Sequence, residues 1–155
     1  MAYQKLQTSR ALLVAVSDTV IIPNPNTLAV SGTNSGTGTN MLKDATKDFI
    51  TLGVKIGDIV YKNTNSDAAY VTSVSATQLG LSVDLYPITI GDEYAIYSNV
   101  NQEGCVLYIG SSGNLHVLTA GGDDITFSGV PAGFFPVQVK QVFADTTATK
   151  IVALW

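Results

Sequence analysis

At 155 residues the chain has room for one ordinary domain, or for one small domain carried inside another. Only 13% of it is charged, about half the usual share, and its net charge of −4 with eight scattered basic residues offers no stripe for phosphates or an anionic membrane. No apolar run reaches the roughly 18 residues of a membrane-spanning helix, and the lone Cys105 excludes an intrachain disulfide or a cysteine metal cluster.

The opening MAYQKLQTSR reads as a polar lead-in without the charged-then-apolar pattern of a secretory leader, so the chain is expected to be made in the cytoplasm. Beyond it, period-2 alternation and turn punctuation dominate, and no segment keeps a 3.6 period for three turns. The expected fold class is all-β. Strands are expected at Ala11–Val16, Val20–Ile22, Thr27–Val30, Ile59–Lys62, Ala68–Ser75, Gly80–Leu85, Glu93–Ser98, Cys105–Ile109, Leu115–Leu118, Ile125–Phe127, Val137–Phe143 and Lys150–Leu154. Met41–Thr51 is the one stretch suited to a short helical turn.

The texture changes in the middle. After PNPNTLAVSGTNSGTGTN, rich in Pro, Gly, Thr and Asn, comes a self-contained run in which GDIVY and GDEYAIY each follow a Gly-Asp turn with an alternating strand. Residues 27–98 are therefore expected to form an inserted small β-barrel of the SH3-like or OB-like kind. Residues 1–26 and 99–155 are expected to form an outer, jelly-roll-like β-sandwich around it.

In the C-terminal part, IGSSGNLHV places Ser-Gly-Asn between two apolar strands, as a short hairpin loop would. TAGGDDITF supplies Gly121 and Gly122 for a turn that needs positive φ. The final VQVKQVFADTTATKIVALW sets two strands about a polar turn and predicts a terminal hairpin. Ile151 to Trp155 are all apolar, so this segment is expected to be buried in its own subunit or against another chain. Alternation puts Ile151, Ala153 and Trp155 on one face and Val152 and Leu154 on the other.

Candidate chemistry is sparse. His116 is the single histidine, which excludes a His-rich zinc site, and on a strand it is expected to face solvent or a subunit seam. Asp123 and Asp124 are adjacent and so point to opposite faces, which suits turn residues better than a glycosidase carboxylate pair. Asp58, Asp92 and Glu93 follow glycines or one another in turns. KNTNSDAA lacks the glycine and closing Glu of a calcium loop and reads as a hairpin loop. SGTNSGTG lacks the lysine and following helix of a phosphate loop and reads as a connector. Cys105 reads as a small core residue. Phe134 and Phe135 are expected to split, one ring into the core and one toward a partner. No catalytic, cofactor or metal residue is assigned.

SRALLVAVSDTVIIPNP at Ser9–Pro25 and the stretch from Gly104 to Trp155 together carry an SDT segment, an LYIGSSGNL hairpin, a TFSGVPAGFFPVQV strand pair and a terminal TTATKIVALW. In these features the chain resembles the small head spike base and capsid-decorating proteins of tailed phages and gene transfer agents. It departs from them in the long insert and in the double Phe before Pro136; the insert is similar to small barrel modules that recur in phage virion proteins. The resemblance implies a virion structural protein with no catalytic task. It implies homo-oligomers, trimeric or pentameric, docked on a major capsid protein or another virion protein, with no nucleic acid or membrane as partner. Phe134, Phe135, Ile151, Ala153 and Trp155 are the expected oligomer or partner contacts. The rival expectations are a glycan-binding or adaptor module of a tail or fibre, and a small cell-wall hydrolase.

Overall fold

The computed structural model describes residues 10–23, 25, 28–63, 67–83, 88–99 and 104–155. The polar lead-in before residue 10, the middle of the KNTNSDAA loop and the end of the expected strand Gly80–Leu85 lie outside the described residues. Within them there is no helix, and the fold is all-β. Twelve strands are described: β1 (Ala11–Leu13), β2 (Leu28–Thr33), β3 (Met41–Lys43), β4 (Ile59–Lys62), β5 (Ala68–Val74), β6 (Gln78–Leu81), β7 (Glu93–Tyr97), β8 (Cys105–Ser111), β9 (Gly113–Thr119), β10 (Asp124–Val130), β11 (Gly133–Val142) and β12 (Thr149–Leu154).

The strands make two six-stranded antiparallel sheets that pack as a sandwich, one of them curled into a half-barrel. One sheet has the order β1-β12-β8-β11-β9-β10, the other β2-β7-β4-β5-β6-β3. Every strand from 28 to 97 belongs to the second sheet, and the flanking strands build the first. The second sheet brings its two end strands together through Asn34, which is 1% exposed. The Asn34 amide donates to the carbonyls of Gly36 (2.6 Å) and Thr89 (2.9 Å), while its oxygen accepts the N–H of Lys43 in β3 (3.0 Å). Ser35 N–H donates to the Lys43 carbonyl beside it.

Alternation decides what each face buries. In β7, Tyr94 and Ile96 enter the core of the second sheet with Leu42, Phe49, Val60, Val71 and Leu79, while Ala95 and Tyr97 face the other way. Those two join Ile59 and Tyr61 of β4, with Val20, in a seam on which Leu12 and Leu13 of β1 pack. Tyr61 and Tyr97 meet edge to face at 5.6 Å; the Tyr61 hydroxyl donates to the Leu13 carbonyl (2.9 Å) and Arg10 donates to the Tyr97 hydroxyl (3.0 Å). Burial raises the Tyr61 phenol, so that it stays a donor. The buried Asp44 accepts the Tyr94 hydroxyl (2.7 Å) and both the N–H and hydroxyl of Thr46. Burial pulls its pKa up, but the bonds from Thr46 and Tyr94 outweigh that and hold it below 3.8. Gly32 is required beside this pair, because a Cβ there would meet Asp44 Oδ2 and the Tyr94 hydroxyl inside contact distance.

Four expectations change. First, the terminal hairpin is not formed: β12 pairs with β1 and β8, and β8 separates it from β11. Second, β8 and β9 do not pair across Ser112 either. β11 pairs with β8 through its first half and with β9 through its second, the register shifting between Phe135 and Val139 around Pro136. Proline lacks the N–H a ladder needs, so the ladder to β8 breaks in a bulge there and resumes at Val139, opposite Cys105. Third, Met41–Thr51 opens as a strand paired with β6 and closes in a single turn capped by the Asp48 carboxylate. Fourth, Val20–Ile22 is not a strand, though Ile22 N–H donates to the Lys140 carbonyl. The GGDD turn between β9 and β10 does form, with Gly122 alone at positive φ (97°).

Asn34→Ala would remove three part-buried hydrogen bonds, to Gly36, Thr89 and Lys43, each worth about 0.5–1.5 kcal/mol. The expected loss is at least about 2 kcal/mol, read by urea unfolding; a loss below about 0.5 kcal/mol would show that Asn34 does not hold the end strands together.

Candidate interaction surface

Phe134 and Phe135 do split. Phe135 is 8% exposed and meets Phe127 edge to face at 4.9 Å in the core of the first sheet, whereas Phe134 is 72% exposed. The register shows what surrounds it. Phe134 stands opposite Tyr108 in β8, Tyr108 opposite Val152 in β12, and Val152 opposite Leu13 in β1. One row therefore crosses four strands as Leu13, Val152, Tyr108 and Phe134, and the next holds Ala11, Leu154 and Val106; at the β1 end Leu13 also packs in the seam with the second sheet, so the open part of the face is its Tyr108–Phe134 end. All seven residues are apolar or aromatic, none is charged, and none is classed as buried. Tyr108, 42% exposed, packs edge to face with Phe134 at 5.7 Å.

An antiparallel sheet with one wet face normally alternates apolar inward and polar outward. Here the inward parity (Leu107, Ile109, Ile151, Ala153) fills the core, and the outward parity is largely apolar as well, with the exposed Lys150 beside Gly110 at its edge. The expected contact residues thus part company. Phe134 lies on the outward face; Phe135, Ile151 and Ala153 are spent on the chain's own core, which leaves almost no surface for a partner. Trp155 shares their parity and packs against that core at its rim, with its indole N–H buried and without a partner among the described residues. Its backbone bonds both ways to Arg10. Tyr108 was not foreseen, although CVLYIGS carries the same double-parity signal as KIVALW.

His116 lies half-buried on β9, stacked on Phe143 at 4.2 Å. Its Nδ1 is 2.7 Å from Asp145 Oδ1 and its Nε2 2.6 Å from Asp124 Oδ1. Both nitrogens thus face carboxylate oxygens of the chain itself. Asp123 closes the β9–β10 turn by hydrogen bonding with Thr119, and Asp58 and Asp92 cap turns through the N–H groups of Lys55, Asn99 and Thr89. Asp92 also pairs with Lys62 at 3.0 Å. Burial pushes the Cys105 thiol up to about 12, as expected of a core cysteine. Between β1 and the second sheet lies a cleft of about 210 Å³, walled by Leu12, Leu13, Tyr61, Lys62 and Tyr97. Among the described residues no three His, Cys, Asp or Glu side chains gather as metal ligands. Comparison with protein-family models, curated proteins and solved structures found no match to this chain.

Trp155→Ala removes rim packing from the first core. It is expected to cost up to about 3 kcal/mol in thermal or urea unfolding while leaving the sedimentation coefficient unchanged; a shift in association without loss of stability would move Trp155 to an interface.

Proposed function

We propose that this chain is a structural protein of a phage-like virion, which associates with further copies of itself through the outward face centred on Tyr108 and Phe134 and so presents repeated contacts to a capsid or another virion protein. The observation that carries the reading is that uncharged double row. It belongs to the two segments, Ser9–Pro25 and Gly104–Trp155, in which the sequence resembles head spike base and capsid-decorating proteins.

Physical chemistry supports a second copy as the first partner. Each copy carries a net charge of −4, and a double row without acidic groups is where two such chains meet with least repulsion. Sheet faces pack about 10 Å apart with interdigitating side chains, and the Tyr108–Phe134 pair supplies the rigid aromatic anchor that interfaces favour. Repetition by symmetry then turns weak single contacts with a capsid into firm attachment. The exposed aromatics stand on strands and not around a loop pocket, which favours this reading over a glycan-binding module.

Truncating an interface anchor costs about 2 kcal/mol or more, and a two-fold interface loses it twice. Phe134→Ser is therefore expected to weaken self-association by about a thousandfold in equilibrium sedimentation, with β circular dichroism unchanged. A wild-type chain that is monomeric at high micromolar concentration, or a variant that associates equally well, contradicts the self-association. The virion assignment is tested by mass spectrometry of purified particles from the source: recovery in fixed multiple copies per particle is expected, and absence from the particles overturns it.

A further inference from the structure

His116 is held by two elements that are distant in the sequence. Asp124 opens β10, eight residues along, and Asp145 stands in the turn between β11 and β12, 29 residues along. The ring nitrogens point in opposite directions, each at a carboxylate oxygen, and Phe143 of the same turn covers the ring. A charged imidazolium has two N–H donors and satisfies both carboxylates. A neutral imidazole has one, so its other nitrogen would present a lone pair to a carboxylate. One of the two contacts must then fail.

We propose that His116, Asp124 and Asp145 form a proton-operated latch, which fastens the β11–β12 turn to the β9–β10 hairpin while the imidazole is charged and lets go when the proton leaves. The two carboxylates bonded to the ring favour the charged form. From β10 the facing group is Asp124, and from the β11–β12 turn it is Asp145. Behind them, the Asp18 carboxylate in the segment after β1 accepts the N–H of Ala144 next to Asp145, and Asp123 of the β9–β10 turn is bonded to Thr119. The hydrogen bond to Asp124, then that to Asp145, raise the His116 pKa above 6.5, against a smaller opposing effect of desolvation.

The rest of the turn is tied down by groups that do not titrate. Phe143 N–H donates to the His116 carbonyl, His116 N–H to the Thr146 hydroxyl, and Thr147 and Ala148 both donate to the Asn114 carbonyl. Release of the latch therefore loosens the turn without unfolding the sheet. Because the folded value is raised, the contribution of the latch is complete below the unfolded value of about 6.5 and fades as pH rises through the folded value. The turn leads directly into β12, whose Val152 and Leu154 belong to the outward apolar face, so the proton acts on the segment that feeds that face.

The single histidine gives one unambiguous imidazole signal for an NMR titration of the full chain. The expected midpoint lies above 6.5, and it falls toward 6.5 in Asp124→Asn and in Asp145→Asn, each of which alters an exposed side chain. Amide exchange supplies the second readout, as protection factors corrected for the intrinsic pH dependence. Protection at Thr147 and Ala148 is expected to drop several-fold across the His116 midpoint in the wild type, and to stay level over the same range in His116→Gln. A midpoint at or below 6.5, a midpoint indifferent to Asp145→Asn, or wild-type protection that is flat through the titration would each overturn the latch.

Discussion

Tyr61 donates its hydroxyl proton to the Leu13 carbonyl across 2.9 Å, with the Tyr97 ring set edge-on against it, and this contact ties the inserted sheet to the sheet that surrounds it. It exists because β4 and β7 are apolar on both parities. A strand with one wet face has no use for Ile59 and Tyr61 opposite Val60, or for Ala95 and Tyr97 opposite Tyr94 and Ile96. Such strands need two layers, and the first sheet, through β1 and Val20, is the second layer. The insert therefore has its own core of Leu42, Phe49, Val60, Val71, Leu79, Tyr94 and Ile96 and a separate seam, so that docking and folding draw on different side chains.

The same rule extends to the outer sheet. β8 and β12 also carry apolar residues on both parities, but for them the chain supplies only one layer: Leu107, Ile109, Ile151 and Ala153 go inward, while Tyr108, Val106, Val152 and Leu154 are left facing out. With 13% of its residues charged, the protein has few means of keeping that face apart from other chains. Counting layers accounts for how the described strands pack, and it leaves the Tyr108–Phe134 face exposed.

Much of this could be read from the residues. The strand Ile59–Lys62 is found at its expected bounds, and the alternation of Ile151 to Trp155 gives the faces correctly. What alternation does not report is which strand lies next door. It fixes the side a residue faces and is silent on the neighbour, which is why β12 was expected beside β11 and is found between β1 and β8. β3 was missed because three residues, Met41 to Lys43, carry too short a pattern to count, and they become a strand only through β6. The partners of His116 were out of reach for a similar reason. Asp124 reads as a turn residue, and Asp145 sits in a polar loop like any other; only the folded sheet sets them on either side of one ring. Tyr108 was legible and overlooked.

The account rests on the claim that the outward parity of β8, β11 and β12 meets another copy of the chain. Isotope-filtered nuclear Overhauser spectroscopy on a mixture of labelled and unlabelled chains tests it most directly, since only contacts between copies survive the filter. The account predicts intermolecular signals from the rings of Tyr108 and Phe134 and from the methyl groups of Val152 and Leu154. Intermolecular signals confined to other surfaces, such as the exposed Ile50, Leu52 and Ile56 of the insert, or no such signals in an associated sample, would contradict it.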